Sequence, residues 1–99
     1  MSGSNDGFIR VKCILECGDV LEFAEYVECS TSGRIVRETY SYHWQTVKGH
    51  LIKHWDNAPH HREIATFPDH LHDGHYVRES KPMTLIAVLK ELARGKIKG

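Results

Sequence analysis

A chain of 99 residues buries only about two-thirds of its unfolded surface, too little for a second independent core, so one domain is expected over residues 1–99. With 40% hydrophobic and 26% charged residues, and no apolar run near the ~18 residues of a membrane span, the composition excludes an inserted helix. Thirteen basic residues balance thirteen acidic ones, so nucleic acid is not held mainly by a strongly cationic surface, although transient or local contact with RNA stays open.

Residues 1–7, Met-Ser-Gly-Ser-Asn-Asp-Gly, lack the basic start and apolar stretch of a signal or transit peptide. They are expected as a disordered tail on a cytoplasmic protein. Residues 8–17 read as a strand, because Ile9, Val11, Cys13, Leu15 and Cys17 alternate with Arg10, Lys12 and Glu16. After the Gly18-Asp19 turn, Val20–Cys29 reads as the returning strand, with a bulge expected near Glu25, which breaks the alternation of Leu21, Phe23 and Val27. Cys13, Cys17 and Cys29 are odd in number and lack CxxC spacing. On one strand Cys13 and Cys17 lie ~13 Å apart, beyond disulfide reach, so all three are expected as buried, reduced thiols.

Ser30-Thr-Ser-Gly33 is a second turn, and residues 35–46 read as a long strand. Val36, Tyr40, Tyr42 and Trp44 take one side, and Arg37, Thr39, Ser41, His43 and Gln45 the other. Lys48-Gly49 supplies a hairpin into residues 51–57, and a two- or four-residue loop gives the same register. Tyr42 then faces Trp55, His43 faces His54, and Ser41 faces Asp56. The aromatics pack inward, while Ser41, His43, His54 and Asp56 become neighbours on the opposite face.

Asn57-Ala-Pro59-His-His61 breaks the strand. Residues 66–74 read as turns, and residues 75–78 as a short last strand. Residues 84–94 read as a helix with Thr84 as N-cap, Met83 and Val88 as a hydrophobic staple, and Leu85, Val88, Leu89 and Leu92 on one stripe. Gly95 is expected to end it, leaving residues 95–99 frayed. The expected fold is α+β: an antiparallel meander of four to five strands with one C-terminal helix packed on one face. The sheet and a histidine-rich loop occupy 8–78.

All eight histidines lie between His43 and His75, and imidazoles with a reference pKa of about 6.5 suit proton transfer near neutrality. Two imidazoles and a carboxylate can cleave RNA without metal, one imidazole taking the ribose 2′-hydroxyl proton while the other protonates the leaving oxygen. His43, His54, Asp56, His60, His61, His70 and His72 supply such parts, with Arg37 on the expected face of His43. The plainer alternatives are that His43 and His54 decorate a half-solvated sheet, that Asp56-Asn57 forms a turn, and that Trp44 and Trp55 are core rather than base-stacking platforms. Metal binding competes: His70-Leu-His72 places two imidazoles on one side of an extended segment, and His60, His61 or His75 could complete a zinc-type site. No HExxH or Cys2His2 spacing supports it. No Gly-rich phosphate loop is present, and Ser41 beside His43 lacks an evident oxyanion hole.

The strings Tyr40-Ser-Tyr-His-Trp-Gln45, Trp55-Asp-Asn-Ala-Pro-His-His61, Thr66-Phe-Pro-Asp-His-Leu-His72 and Pro82-Met-Thr84 resemble the TumE family of toxin components from prokaryotic toxin-antitoxin pairs, over residues 34–92. The resemblance implies a small cytoplasmic toxin encoded beside an antitoxin that usually carries a helix-turn-helix domain. It maps onto Ser41, His43, Asp56, Asn57, His60, His61, His70 and His72; ribonuclease activity is inferred from the histidines. His54 stands where Arg or another polar residue is expected, and takes a lesser role. Two departures stand out: no helix precedes the first strand, and Ile86 and Ala87 replace a Glu-rich helix start. The missing element leaves sheet surface for a homodimer or for the antitoxin.

The expected assignment makes His60 and His61 general base and acid, and Asp56 the orienting carboxylate. His43 with His70 or His72 contact phosphate, and Arg37, Ser41 and Asn57 bind substrate. No metal is required. The alternative function is a non-enzymatic histidine-rich module holding a protein partner or a divalent metal such as zinc on His70, His72 and His60.

Overall fold

The computed structural model describes residues 5–98. Six strands, β1 (Asn5–Ile14), β2 (Val20–Cys29), β3 (Ile35–Gln45), β4 (Leu51–Asp56), β5 (His70–Asp73) and β6 (Tyr76–Glu79), precede one helix, α1 (Leu85–Lys98). The strands form a single antiparallel meander in chain order. The α+β class with one C-terminal helix is as expected, but the sheet has six strands rather than four or five. The difference lies in β5. His-Leu-His-Asp has one apolar side chain and weak strand propensity, yet pairing places Leu71 opposite Trp55 and His70 opposite Asp56, so tertiary partners override local preference.

The first strand begins at Asn5, so residues 5–7, expected in the tail, pair with the end of β2. Residues 1–4 lie outside the described residues. β1 stops at Ile14 rather than residue 17, because a turn closes with the Leu15 amide donating to the Asp19 carbonyl at 2.8 Å. Cys17 therefore sits exposed in that turn and not in the core, while Cys13 and Cys29 are half-buried; all three are free thiols.

The expected bulge is displaced. Glu25 keeps its inward phase opposite Tyr40, and the irregularity falls where Tyr26 faces Thr39 but Val27 faces Arg37, leaving Glu38 as the extra residue. That insertion reverses the alternation of β3. Arg37 thus lands on the aromatic side, its guanidinium 4.2 Å above the Tyr40 ring and 2.9 Å from the Tyr42 hydroxyl. Tyr42 in turn donates to Glu25, whose carboxylate lies 3.7 Å from Arg37. The expected sharing of a face by Arg37 and His43 is corrected by this one residue.

Between β3 and β4 the pairing of Ser41, Tyr42 and His43 with Asp56, Trp55 and His54 is as expected. The route differs. The Thr46 amide donates to the His50 carbonyl at 2.8 Å, closing a three-residue loop with Gly49 at a φ of 90°, and a second irregularity between Trp44 and Gln45 restores the register.

Thr84 caps α1, its hydroxyl accepting from the Ala87 amide at 3.2 Å. The helix continues past Gly95 to Lys98, so the expected stop at Gly95 does not occur. Residue 99, part of the expected frayed end, lies outside the described residues. Met83, Val88 and Leu92 join Leu21, Tyr40, Tyr42 and Trp55 in the buried core. Leu89, expected on the buried stripe, is 45% exposed. Because α1 covers the aromatic face, the opposite face of β3, β4 and β5 is left to polar side chains, Ser41, His43, His54, Asp56 and His72 among them.

Candidate functional site

Register builds the site. Across the face opposite α1, one row aligns Glu22, His43, His54 and His72, and the next aligns Arg10, Ala24, Ser41, Asp56 and His70. Neighbouring strands lie about 4.8 Å apart, so successive imidazoles in a row must touch. Ring centroids are 5.1 Å apart for His43 and His54, and 5.5 Å for the stacked pair His54 and His72.

Asp56 is the hub. Its Oδ1 lies 2.8 Å from Nε2 of His70 and accepts the Ala58 amide at 3.2 Å, while its Oδ2 lies 3.3 Å from Nε2 of His54. The same His54 nitrogen is 2.8 Å from the Ser41 hydroxyl. His70 is 1% exposed, and its Nδ1 donates to the Pro68 carbonyl at 2.8 Å. A carbonyl only accepts, so Nδ1 carries a hydrogen, which leaves Nε2 facing the Asp56 carboxylate. His70 therefore orients Asp56 from beneath and has no surface with which to touch phosphate.

The loop after β4 returns over this hub. His61, at a φ of 59°, sets its ring 5.1 Å from His70 and 5.6 Å from His72, with Nδ1 3.3 Å from the Glu63 carboxylate. His72 completes the cluster, 4.9 Å from His70. Burial lowers the pKa of His54 below its ordinary value, and the neighbouring His43, His72 and His70 add to the effect against the pull of Asp56. For His72 burial again leads, with His70, His61 and His60 reinforcing it. The ion-pair geometry with Asp56 would favour a charged His54, but desolvation of a half-buried ring among imidazoles outweighs it.

Of the residues expected to form the site, Ser41, His43, Asp56, His61, His70 and His72 are brought together. His60 is exposed, with its ring 6.4 Å from that of His61. Asn57 is used by the fold: its side chain accepts the Tyr40 amide and donates to the Glu38 carbonyl, both at 3.0 Å, tying down the bulge in β3. Arg37 lies on the other side of the sheet. His54, given a lesser role from the resemblance, stands at the centre, as its pairing with His43 indicated. Arg10 and Glu22 had no sequence signal of their own; with Ser41, His43, Gln45 and His54 they line a cleft of about 350 Å³ beside the cluster. A larger cavity of about 540 Å³ lies by α1 among Ile14, Leu15, Trp44, Leu89 and Leu92, but it is mostly apolar and no histidine lines it.

Among the described residues two groups of donors could hold a metal, each with its ligand atoms within 4.8 Å of one another: His54, Asp56 and His72, and His61, His70 and His72. Only the first leaves the His70 hydrogen bonds undisturbed. Neither includes His60.

No curated protein and no solved structure matches the chain. Among the described residues no helix is long and apolar enough to cross a membrane. A family model described as Toxin TumE matches residues 1–97 of the 99, the whole sheet and nearly all of α1 included, and the chain therefore belongs to the TumE toxin family.

Proposed function

We propose that this toxin acts on RNA, cleaving phosphodiester bonds by acid-base chemistry that uses histidine and aspartate and needs no metal. The observation that carries the reading is Asp56 held between His70 and His54, with His72 stacked on His54 and His61 edge-on to His72, on a solvent-facing sheet. A base must be neutral at working pH, and burial favours the neutral form of His72. His72 takes the 2′-hydroxyl proton, and the attacking oxygen displaces the 5′-oxygen to leave a cyclic phosphate. His61 protonates the leaving oxygen with its ring steadied by Glu63. His72 replaces His60 as base. Asp56, His54 and Ser41 form the fixed wall against which His72 stacks, and His43 and Arg10 meet phosphate. The toxin works in the cytoplasm, touches RNA transiently, and is restrained by a helix-turn-helix antitoxin.

Induced expression at matched protein levels tests this. Wild type should arrest growth and fragment RNA, whereas His72→Ala with His61→Ala should do neither; arrest with intact RNA would sink the RNA reading.

The donor spacing favours a second reading. His54, Asp56 and His72 offer three ligands and leave a position open, with the hydrogen bond from His70 to Asp56 as the outer support common around such metals. In that case zinc should bind stoichiometrically to untagged protein, and a chelator should abolish toxicity in lysate assays.

A further inference from the structure

Among the described residues β1 pairs with β2 alone, so its other side is an open sheet edge running from Asn5 to Ile14. It is long, and it exposes Phe8 at 62%, Ile9 at 51% and Ile14 at 75%. Long apolar edges invite another strand. The hydrogen-bond phase defines what can pair there. Leu15 donates to Asp19 beside the Ile14 and Val20 pair, and bonded pairs alternate along an antiparallel ladder. The backbone groups of Gly7, Ile9, Val11 and Cys13 are thus turned toward β2. Those of Asp6, Phe8, Arg10 and Lys12 point outward.

A second β1 running antiparallel must match outward residues with outward residues, which limits the registers. Centred on Arg10, two guanidinium groups would stand face to face, and Asp6 would meet Ile14. Centred on Phe8, the overlap ends at Val11 and Lys12 has no acid opposite. Centred on Ile9, Asp6 meets Lys12 twice, Phe8 meets Arg10 twice, and Ile9 meets itself. Arg10 already lies 5.8 Å from the Phe8 ring within its own strand, so that contact is native to the pair.

We propose that this edge is occupied by β1 of a second copy of the chain, paired about a two-fold axis through Ile9. Charge self-complementarity selects this partner, because the same strand carries both the acid and the base at symmetry-related positions. The axis stands perpendicular to the sheet, so both histidine clusters lie on one side of a continuous sheet. Arg10 and Lys12 of both copies fill the ground between them. Seven strand spacings of about 4.8 Å separate the two β4 strands, about 34 Å. The pairing itself is independent of the RNA reading.

The full-length protein is examined by light scattering, with circular dichroism as the fold check. Wild type should have twice the mass of the 11.4 kDa chain. Lys12→Asp and Asp6→Lys should each raise the dimer dissociation constant at least tenfold, and the double exchange should restore it. In a background with the native cysteines replaced by serine, Ile9→Cys should form a cross-linked dimer on mild oxidation, while Val11→Cys, opposite Gly7, should not. A monomeric wild type, a double exchange that fails to restore the dimer although folded, or cross-linking of Val11→Cys in preference to Ile9→Cys would overturn the proposal. A free edge that becomes protected only on antitoxin addition would overturn it equally, and would assign the edge to the antitoxin.

Discussion

Asp56 and His70 are held against each other, Oδ1 2.8 Å from Nε2, with His70 sealed from solvent and its other nitrogen donating to the Pro68 carbonyl. Everything on the solvent side of the cluster rests on this pair. It joins the end of β4 to the start of β5, and so turns a break in the chain after Asn57 into a fixed platform.

His70 and His72 should separate stability from activity. His70→Ala leaves a carboxylate and a carbonyl without their buried partner, and breaking such a pair costs about 3–5 kcal/mol. A domain of this size should then melt more than about 12 °C lower. His72→Ala removes a half-exposed ring, and should cost under about 1 kcal/mol while abolishing toxicity. Thermal unfolding and growth assays on both variants check the contrast; equal melting points would contradict it.

Stability should fall in mild acid. Folded His54 and His72 have pKa values lowered from the ordinary 6.5, whereas the unfolded chain takes up protons as pH drops through about 6.5. The unfolded state therefore binds more protons between that value and the lowered ones. The contribution is complete above pH 6.5 and is lost as pH falls through that window. Urea midpoints at pH 7.5 and 5.5 should differ more for wild type than for the His54→Gln, His72→Gln variant; parallel profiles would contradict the assignment.

Arg37 should matter for folding and not for toxicity. Its guanidinium serves Tyr42, Tyr40 and Glu25 beneath the sheet. Arg37→Ala leaves the half-buried Glu25 and Tyr42 pair without its cation, and should destabilise by about 1–3 kcal/mol, measured by urea unfolding. Growth arrest should persist at matched protein level. Loss of arrest with unchanged stability would return Arg37 to the site.

His60 and His61 should likewise part company. His60 is exposed outside the cluster, while His61 meets His70 and His72 edge-on. RNA cleavage by His60→Ala should stay within about threefold of wild type, against a loss of about 10²-fold or more for His61→Ala, the scale of a missing general acid. Equal losses would contradict the geometry.

Much of this was legible from residue order because period-two alternation and the Lys48-Gly49 turn set one register, and that register alone places His43 beside His54 and Ser41 beside Asp56. What escaped depends on features with no local signature. Glu38 as the extra residue of a bulge moves Arg37 across the sheet. β5 is strand because of Trp55 and Asp56, not because of His-Leu-His-Asp. Asn57 looks like a substrate ligand until its amide is seen tying Tyr40 to Glu38. Adjacent His60 and His61 are indistinguishable in sequence; in the fold His61 takes a positive φ and its ring meets His70 and His72.

The central claim, that the platform of Asp56 and His70 presents His72 and His61 for cleavage of RNA, is met most directly by sequencing RNA ends after induced expression. Wild type should yield fragments ending in 2′,3′-cyclic phosphate, and His72→Ala with His61→Ala, at equal protein level and equal melting temperature, should yield none. Growth arrest with no such ends in wild type, or the same ends from the double variant, would contradict it.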